Sequence, residues 1–155
     1  MRVDSASRFI AAAPAEVFRA FVEPDLLVAW LPPDGMTGRL ERFDAAAGYR
    51  MVLTYDSPPE GGGKSSADAD VSEVRRVEVV PPERIVEAVE FPSDDARYAG
   101  TMTMVWSFTA LPGGALVTVE ATDVPAEISP EDHAVGLASS LENLGRLIEG
   151  RFPAS

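Results

Sequence analysis

A chain of 155 residues, 46% of them hydrophobic, has the length of one domain spanning 1–155 and enough apolar side chains to fill a core. Lys plus Arg number 13 against 25 Asp plus Glu, and the net charge of −12 repels phosphate backbones and anionic lipid surfaces, so neither nucleic acid nor membrane is an expected partner. Cysteine is absent, which removes disulfides, thiolate nucleophiles and thiolate metal sites. No apolar run reaches the ~20 residues of a membrane span, and the start MRVDSASRF has no apolar signal core, so a cytoplasmic location is expected.

Along the chain, the stretch from Phe9 to Gly35 reads as a strand followed by two short helices, opened by Pro14 and Pro24 at positions where a missing N–H costs nothing. Val17, Phe18 and Phe21 share one side of the first helix, and Leu26, Leu27 and Trp30 one side of the second. Met36 to Phe43 and Gly48 to Asp56 read as strands around the turn Asp44 to Ala47. Ser57 to Asp70, rich in proline, glycine and small polar residues, reads as a loop. Strands are then expected over Val71 to Val80, Arg84 to Phe91, Thr101 to Thr109 and Ala115 to Ala121, with turns at Pro81–Pro82 and Pro112–Gly113–Gly114.

Ser129 is placed to cap a long final helix, with Pro130 at its first position, Asp132 three residues on and Gly150 placed to end it. Leu137, Leu141, Leu144 and Ile148 form its apolar stripe. The expected class is therefore α+β: a curved antiparallel sheet of about seven strands burying one face against an amphipathic C-terminal helix. Where the sheet curves away from that helix, a cavity is expected.

Five segments carry a family resemblance: AAPAEVF at Ala12 to Phe18, WLPPDG at Trp30 to Gly35, AGYR at Ala47 to Arg50, VVPPERIV at Val79 to Val86, and DHAVGLASSLENL at Asp132 to Leu144. In that order the chain resembles the START-like, or SRPBCC, superfamily with the birch-allergen helix-grip fold, and within it the branch named after the activator of heat-shock-protein-90 ATPase. The resemblance implies a hydrophobic cavity for lipids, sterols or polyketide-like aromatics, with cyclisation or dehydration catalysed in some members. Gly136–Leu137 departs from the Gly-Trp common in this branch, and the smaller side chain either widens the cavity or repacks it.

Met102, Met104, Trp106 and Phe108 alternate on one strand, and Tyr49, Met51, Leu53 and Tyr55 on another. With the helix residues, Trp30, Tyr49, Met51, Tyr55, Met102, Met104, Trp106, Leu137 and Leu141 are the candidate ligand lining. Thioethers suit an adaptable pocket, and the tyrosines either offer buried hydroxyls that orient a ligand or sit at the rim with their hydroxyls in water. Glu87 interrupts the apolar face of Ile85, Val89 and Phe91. It is either a desolvated carboxylate with a raised pKa or, with Val86 and Ala88 inward, a solvent residue. His133, the only histidine, lies about 40° from Leu137 around the helix, where it is either a general base at the cavity mouth or a half-exposed surface residue.

A lone histidine makes no zinc site, and no metal or cofactor is expected. Gly61–Gly62–Gly63–Lys64–Ser65 echoes a phosphate-binding loop, but Pro58 stands where the motif requires glycine and a strand follows where it requires a helix. The leading expectation is binding of a hydrophobic or aromatic small molecule. A second is an enzyme of cyclase or dehydrase type using Glu87 or His133 for proton transfer. A third is a chaperone ATPase-activating module, for which the chain offers no conspicuous docking segment. A second copy of the chain is an admissible partner, and the 57–70 loop reads as a cavity gate or a solvated linker.

Overall fold

The computed structural model describes residues 2–56, 69–92 and 100–151. Ten elements follow in chain order: β1 (Val3–Ile10), α1 (Pro14–Val22), α2 (Pro24–Trp30), β2 (Met36–Asp44), β3 (Gly48–Tyr55), β4 (Ala69–Val80), β5 (Arg84–Glu90), β6 (Met102–Leu111), β7 (Gly114–Thr122) and α3 (Pro130–Arg151). This is the expected helix-grip arrangement. Element boundaries differ from the sequence reading by one or two residues: β4 begins at Ala69, two residues early, β6 runs two residues further to Leu111, and α3 runs through Gly150 to Arg151.

The seven strands form one antiparallel sheet in the order β1-β7-β6-β5-β4-β3-β2. Only the β1–β7 pairing joins elements distant in sequence, and it places the first strand beside the last. The β2–β3 hairpin has a local cause. At the β2–β3 turn the Asp44 carboxylate accepts the backbone N–H groups of Ala46 and Ala47 at 2.9 and 3.0 Å. Gly48 then enters β3 at φ +134°, and a Cβ there would collide with the Val74 carbonyl of the adjacent strand.

Pro14 and Pro24 open α1 and α2 as expected. Ser129 caps α3, its Oγ accepting the Asp132 N–H at 3.0 Å. The helix packs along β1 and against α1 and α2. Gly145 leaves room for the Arg8 guanidinium of β1, which a Cβ would meet and which pairs with Glu142 at 3.1 Å and Glu149 at 3.5 Å. Among the described residues no helix is long and apolar enough to cross a membrane.

The interior has two unlike ends. At one, α1 and α2 press Phe18, Phe21 and Trp30 against Trp106 and Phe108 of β6. Phe21 is the hub, its ring centroid 4.7 Å from Trp30 and 5.0 Å from both Trp106 and Phe108. Trp30 is fully buried and its Nε1 donates to the Ala20 carbonyl at 2.9 Å. At the other end, β3 to β6 curve away from α3 and leave a cavity.

Candidate functional site

The cavity has a volume of about 400 Å³ and is walled by β3 to β6 on one side and by α3 on the other. Residues at alternate strand positions provide the sheet side: Tyr49, Met51, Leu53 and Tyr55 from β3, and Met102, Met104 and Trp106 from β6. From α3 come His133, Gly136, Leu137 and Ser140, spaced three, four and seven residues apart, which is one helical face.

Of the nine residues expected to line the cavity, Tyr49, Met51, Tyr55, Met102, Met104, Trp106 and Leu137 do so. Trp30 and Leu141 do not. Trp30 is consumed by the aromatic cluster, and Leu141 lies one residue beyond the cavity-facing Ser140, at 1% exposure within the packed core. The cause in both is packing between elements that sequence spacing does not place relative to one another. Leu137 is retained at the wall, so the Gly136–Leu137 departure contributes cavity surface.

Gly136 adds something the sequence reading overlooked. A Cβ built on it would meet nothing within 4 Å, so neither backbone conformation nor a close neighbour requires glycine here. In a helix interior glycine costs about 1 kcal/mol relative to alanine. Gly136 is part of the cavity wall, and the space beside it is open.

Glu87 points inward, at 3% exposure, with Ile85 and Val89. The alternative with Val86 and Ala88 inward is thereby overturned. The reason is Arg76, directly opposite on β4, whose side chain has no solvent exposure. Its Nε donates to Glu87 Oε2 at 3.2 Å, its Nη1 to the Ala45 carbonyl at 2.7 Å and its Nη2 to the Phe21 carbonyl at 2.6 Å. Trp106 Nε1 donates to the other Glu87 oxygen at 3.0 Å. Desolvation pushes the Glu87 pKa up, opposed by the Arg76 charge and by the hydrogen bonds from Trp106 and Arg76. The result is an ion pair in which Arg76 is fully enclosed while Glu87 belongs to the cavity wall and keeps lone pairs unused.

Tyr49 sits beside this pair. Its ring stacks on Phe43 at 6.2 Å, and the Arg76 guanidinium carbon lies 5.6 Å from its centroid. Burial pushes its phenol pKa well up, with the Glu87 charge adding to the effect, so the hydroxyl keeps its proton. The residue is only 4% exposed, yet its hydroxyl makes no hydrogen bond to the protein. No fully enclosed side-chain nitrogen or oxygen among the described residues lacks a partner, so this hydroxyl opens onto the cavity. By contrast, Tyr55 donates to the buried Asp70 at 2.7 Å.

At the helix end of the cavity, His133 Nδ1 lies 2.7 Å from Asp4 Oδ2, which Arg2 in turn holds at 2.7 Å. The His133 side chain is 13% exposed, less than a half-exposed surface residue. The hydrogen bond from Arg2 is the main cause that holds the Asp4 carboxyl below its usual range. In a neutral imidazole, a carboxylate on Nδ1 favours the tautomer that carries the proton there, with Nε2 as the acceptor. Among the described residues no group of three or more His, Asp or Glu is placed to hold a metal ion. The segment 57–68, which includes the phosphate-loop echo and most of the suggested gate, lies outside the described residues.

A sequence model of the family described as Activator of Hsp90 ATPase homolog 1-like protein matches residues 11–149. Protein CV1439 from Chromobacterium violaceum is 31% identical, with a TM-score of 0.82 over 95% of this chain and 96% of that one. The AHSA1 protein SPO3351 from Silicibacter pomeroyi has a TM-score of 0.76 at 18% identity, covering 97% of this chain and 99% of its own. DynU16, a protein of the dynemicin biosynthetic locus, has a TM-score of 0.66 at 18% identity, covering 95% of this chain and 47% of its own. The last two share the fold alone. No curated protein matches the chain.

Proposed function

The chain belongs to the family of Activator of Hsp90 ATPase homolog 1-like proteins, and from its interior we propose that it binds a hydrophobic or aromatic small molecule, lipid- or polyketide-like, between sheet and C-terminal helix. The carrying observation is the cavity of about 400 Å³, a size typical of small-molecule sites, with a wall dominated by Met51, Met102, Met104, Trp106 and Leu137. Gly136 supports the same reading, because a helix that gives up propensity for empty space is accounted for if the space is used.

Native mass spectrometry of the purified protein, with a thermal-shift screen of fatty acids, sterols and aromatic polyketides, tests the proposal. A ligand specific to the native state raises the melting temperature. Gly136→Phe, which projects a ring into the cavity, is expected to abolish that rise. A clean apo mass and no shift with any compound would sink the proposal.

The hydrogen-bonded Asp4–His133 pair favours a second reading, in which the bound molecule undergoes proton transfer at His133 Nε2. Glu87 suits this role less, since Arg76 and Trp106 already hold its carboxylate. Incubating a co-purified ligand with the wild type and with His133→Gln, and following its mass and spectrum, tests this. Identical fates with the two proteins would remove the enzyme reading and leave binding intact.

A further inference from the structure

The part of the cavity wall that holds Tyr49 and Glu87, both beside Arg76, has a chemical preference that goes beyond apolar burial. Three facts define it. The Tyr49 hydroxyl, on a side chain that is nine-tenths buried, has no partner in the protein. The Glu87 carboxylate accepts one hydrogen bond on each oxygen, from Trp106 and Arg76, and each oxygen keeps a further lone pair. The Arg76 guanidinium is fully enclosed and committed to Glu87, Ala45 and Phe21, so it has no face to offer a ligand.

The ionisable wall residues point the same way. Among the described residues the acidic side chains lining the cavity are carboxylates, Glu87 and Asp132 among them; the wall also holds His133 and the phenols of Tyr49 and Tyr55, and no Lys or Arg. A ligand carboxylate entering here would lose its water, meet like charge and find no free cation in the described wall. A neutral hydroxyl fits: it accepts from the Tyr49 O–H and donates to a Glu87 oxygen, satisfying one open donor and one open acceptor together.

We propose that the cavity selects neutral, hydroxyl-bearing aromatic or polycyclic molecules, read by the Tyr49 hydroxyl and the Glu87 carboxylate, and rejects carboxylated molecules of the same skeleton. The selection rests on the ligand-binding reading above and names the ligand class for that same site. It sets phenols and alcohols of fused-ring compounds apart from free fatty acids.

A matched series tests it: pyrene, hydroxypyrene and pyrenecarboxylate, titrated near neutral pH and followed by energy transfer from the two tryptophans, Trp30 and Trp106, and by thermal shift. Hydroxypyrene is expected to bind about fivefold more tightly than pyrene, the worth of one good hydrogen bond pair. Pyrenecarboxylate is expected to bind at least about thirtyfold more weakly than hydroxypyrene. In Tyr49→Phe, which keeps the ring, its stacking and the Arg76–Glu87 pair, hydroxypyrene is expected to fall to the affinity of pyrene while pyrene itself is unchanged. Unfolding of that variant by denaturant confirms that it remains native. If pyrenecarboxylate matches or exceeds hydroxypyrene, or Tyr49→Phe leaves the hydroxyl preference intact, the selection is wrong and the binding site stands. If no member of the series binds, the selection and the reading beneath it fall together.

Discussion

The two ends of this interior are built from the same strand and have opposite characters. Phe108 and Trp106 of β6 meet Phe21 and Trp30 edge to face and fill the space under α1 and α2. Met104 and Met102, two and four residues before Trp106, face an open volume under α3. Close-packed aromatic rings rigidify one end, whereas thioethers, which repack at little cost, line the other. Trp106 stands at the border: one face joins the cluster, and its Nε1 anchors Glu87. Stability and accommodation are therefore segregated along a single sheet face.

Several substitutions should break or sharpen that contrast. Phe21→Ala removes the hub of the packed end and is expected to cost about 4 kcal/mol by urea unfolding, while Met102→Ala, already facing empty volume, should cost less than about 2 kcal/mol. Equal costs would mean that the two ends do not differ. Arg76→Met leaves the Glu87 charge buried and uncompensated and should cost about 3 kcal/mol or more, with Arg76→Met/Glu87→Leu recovering most of it. If the double variant is as unstable as the single, the uncompensated charge is not the cause.

Gly136→Ala acts in the other direction, with an expected gain of about 1 kcal/mol together with weaker ligand binding, measured by calorimetric unfolding and by the same pyrene titration. A gain with undiminished binding would show that the space beside Gly136 is not used. The smallest effect is expected at Asp4. Its folded carboxyl titrates below the usual range, chiefly because Arg2 hydrogen-bonds it, so its contribution is present above the ordinary carboxylate pKa and is lost as pH falls through the folded value. Asp4→Asn should flatten the acid limb of the stability profile below the ordinary carboxylate range. An unchanged acid limb would dismiss the contribution.

Local signals carried much of this fold. Prolines at helix starts, the Ser129 cap and strict alternation in β6 act within a few residues, so the sequence exposes them directly. The candidate wall was legible for the same reason: Tyr49, Met51, Met102, Met104 and Trp106 follow from period-two alternation once the inward face is known. Trp30 and Leu141 escaped because a helix stripe wider than one residue contains both core-facing and cavity-facing positions. Glu87 was ambiguous because its burial depends on Arg76, and no local pattern links residues that meet only through the β4–β5 register, which itself shifts between Arg76 and Glu78. The Asp4–His133 contact, between residues 129 positions apart, had no sequence signal.

What the amino-acid order determined by itself is the order and type of the elements, the side of each that is apolar, and the excess negative charge. These are properties of neighbours along the chain. Only the tertiary structure decided which apolar residues would fill space and which would surround it, because that depends on how far β3 to β6 curve from α3. It also decided that a buried glutamate would find its guanidinium and that one tyrosine hydroxyl would be left without a partner. Those outcomes are set by distances between elements, which no single segment encodes.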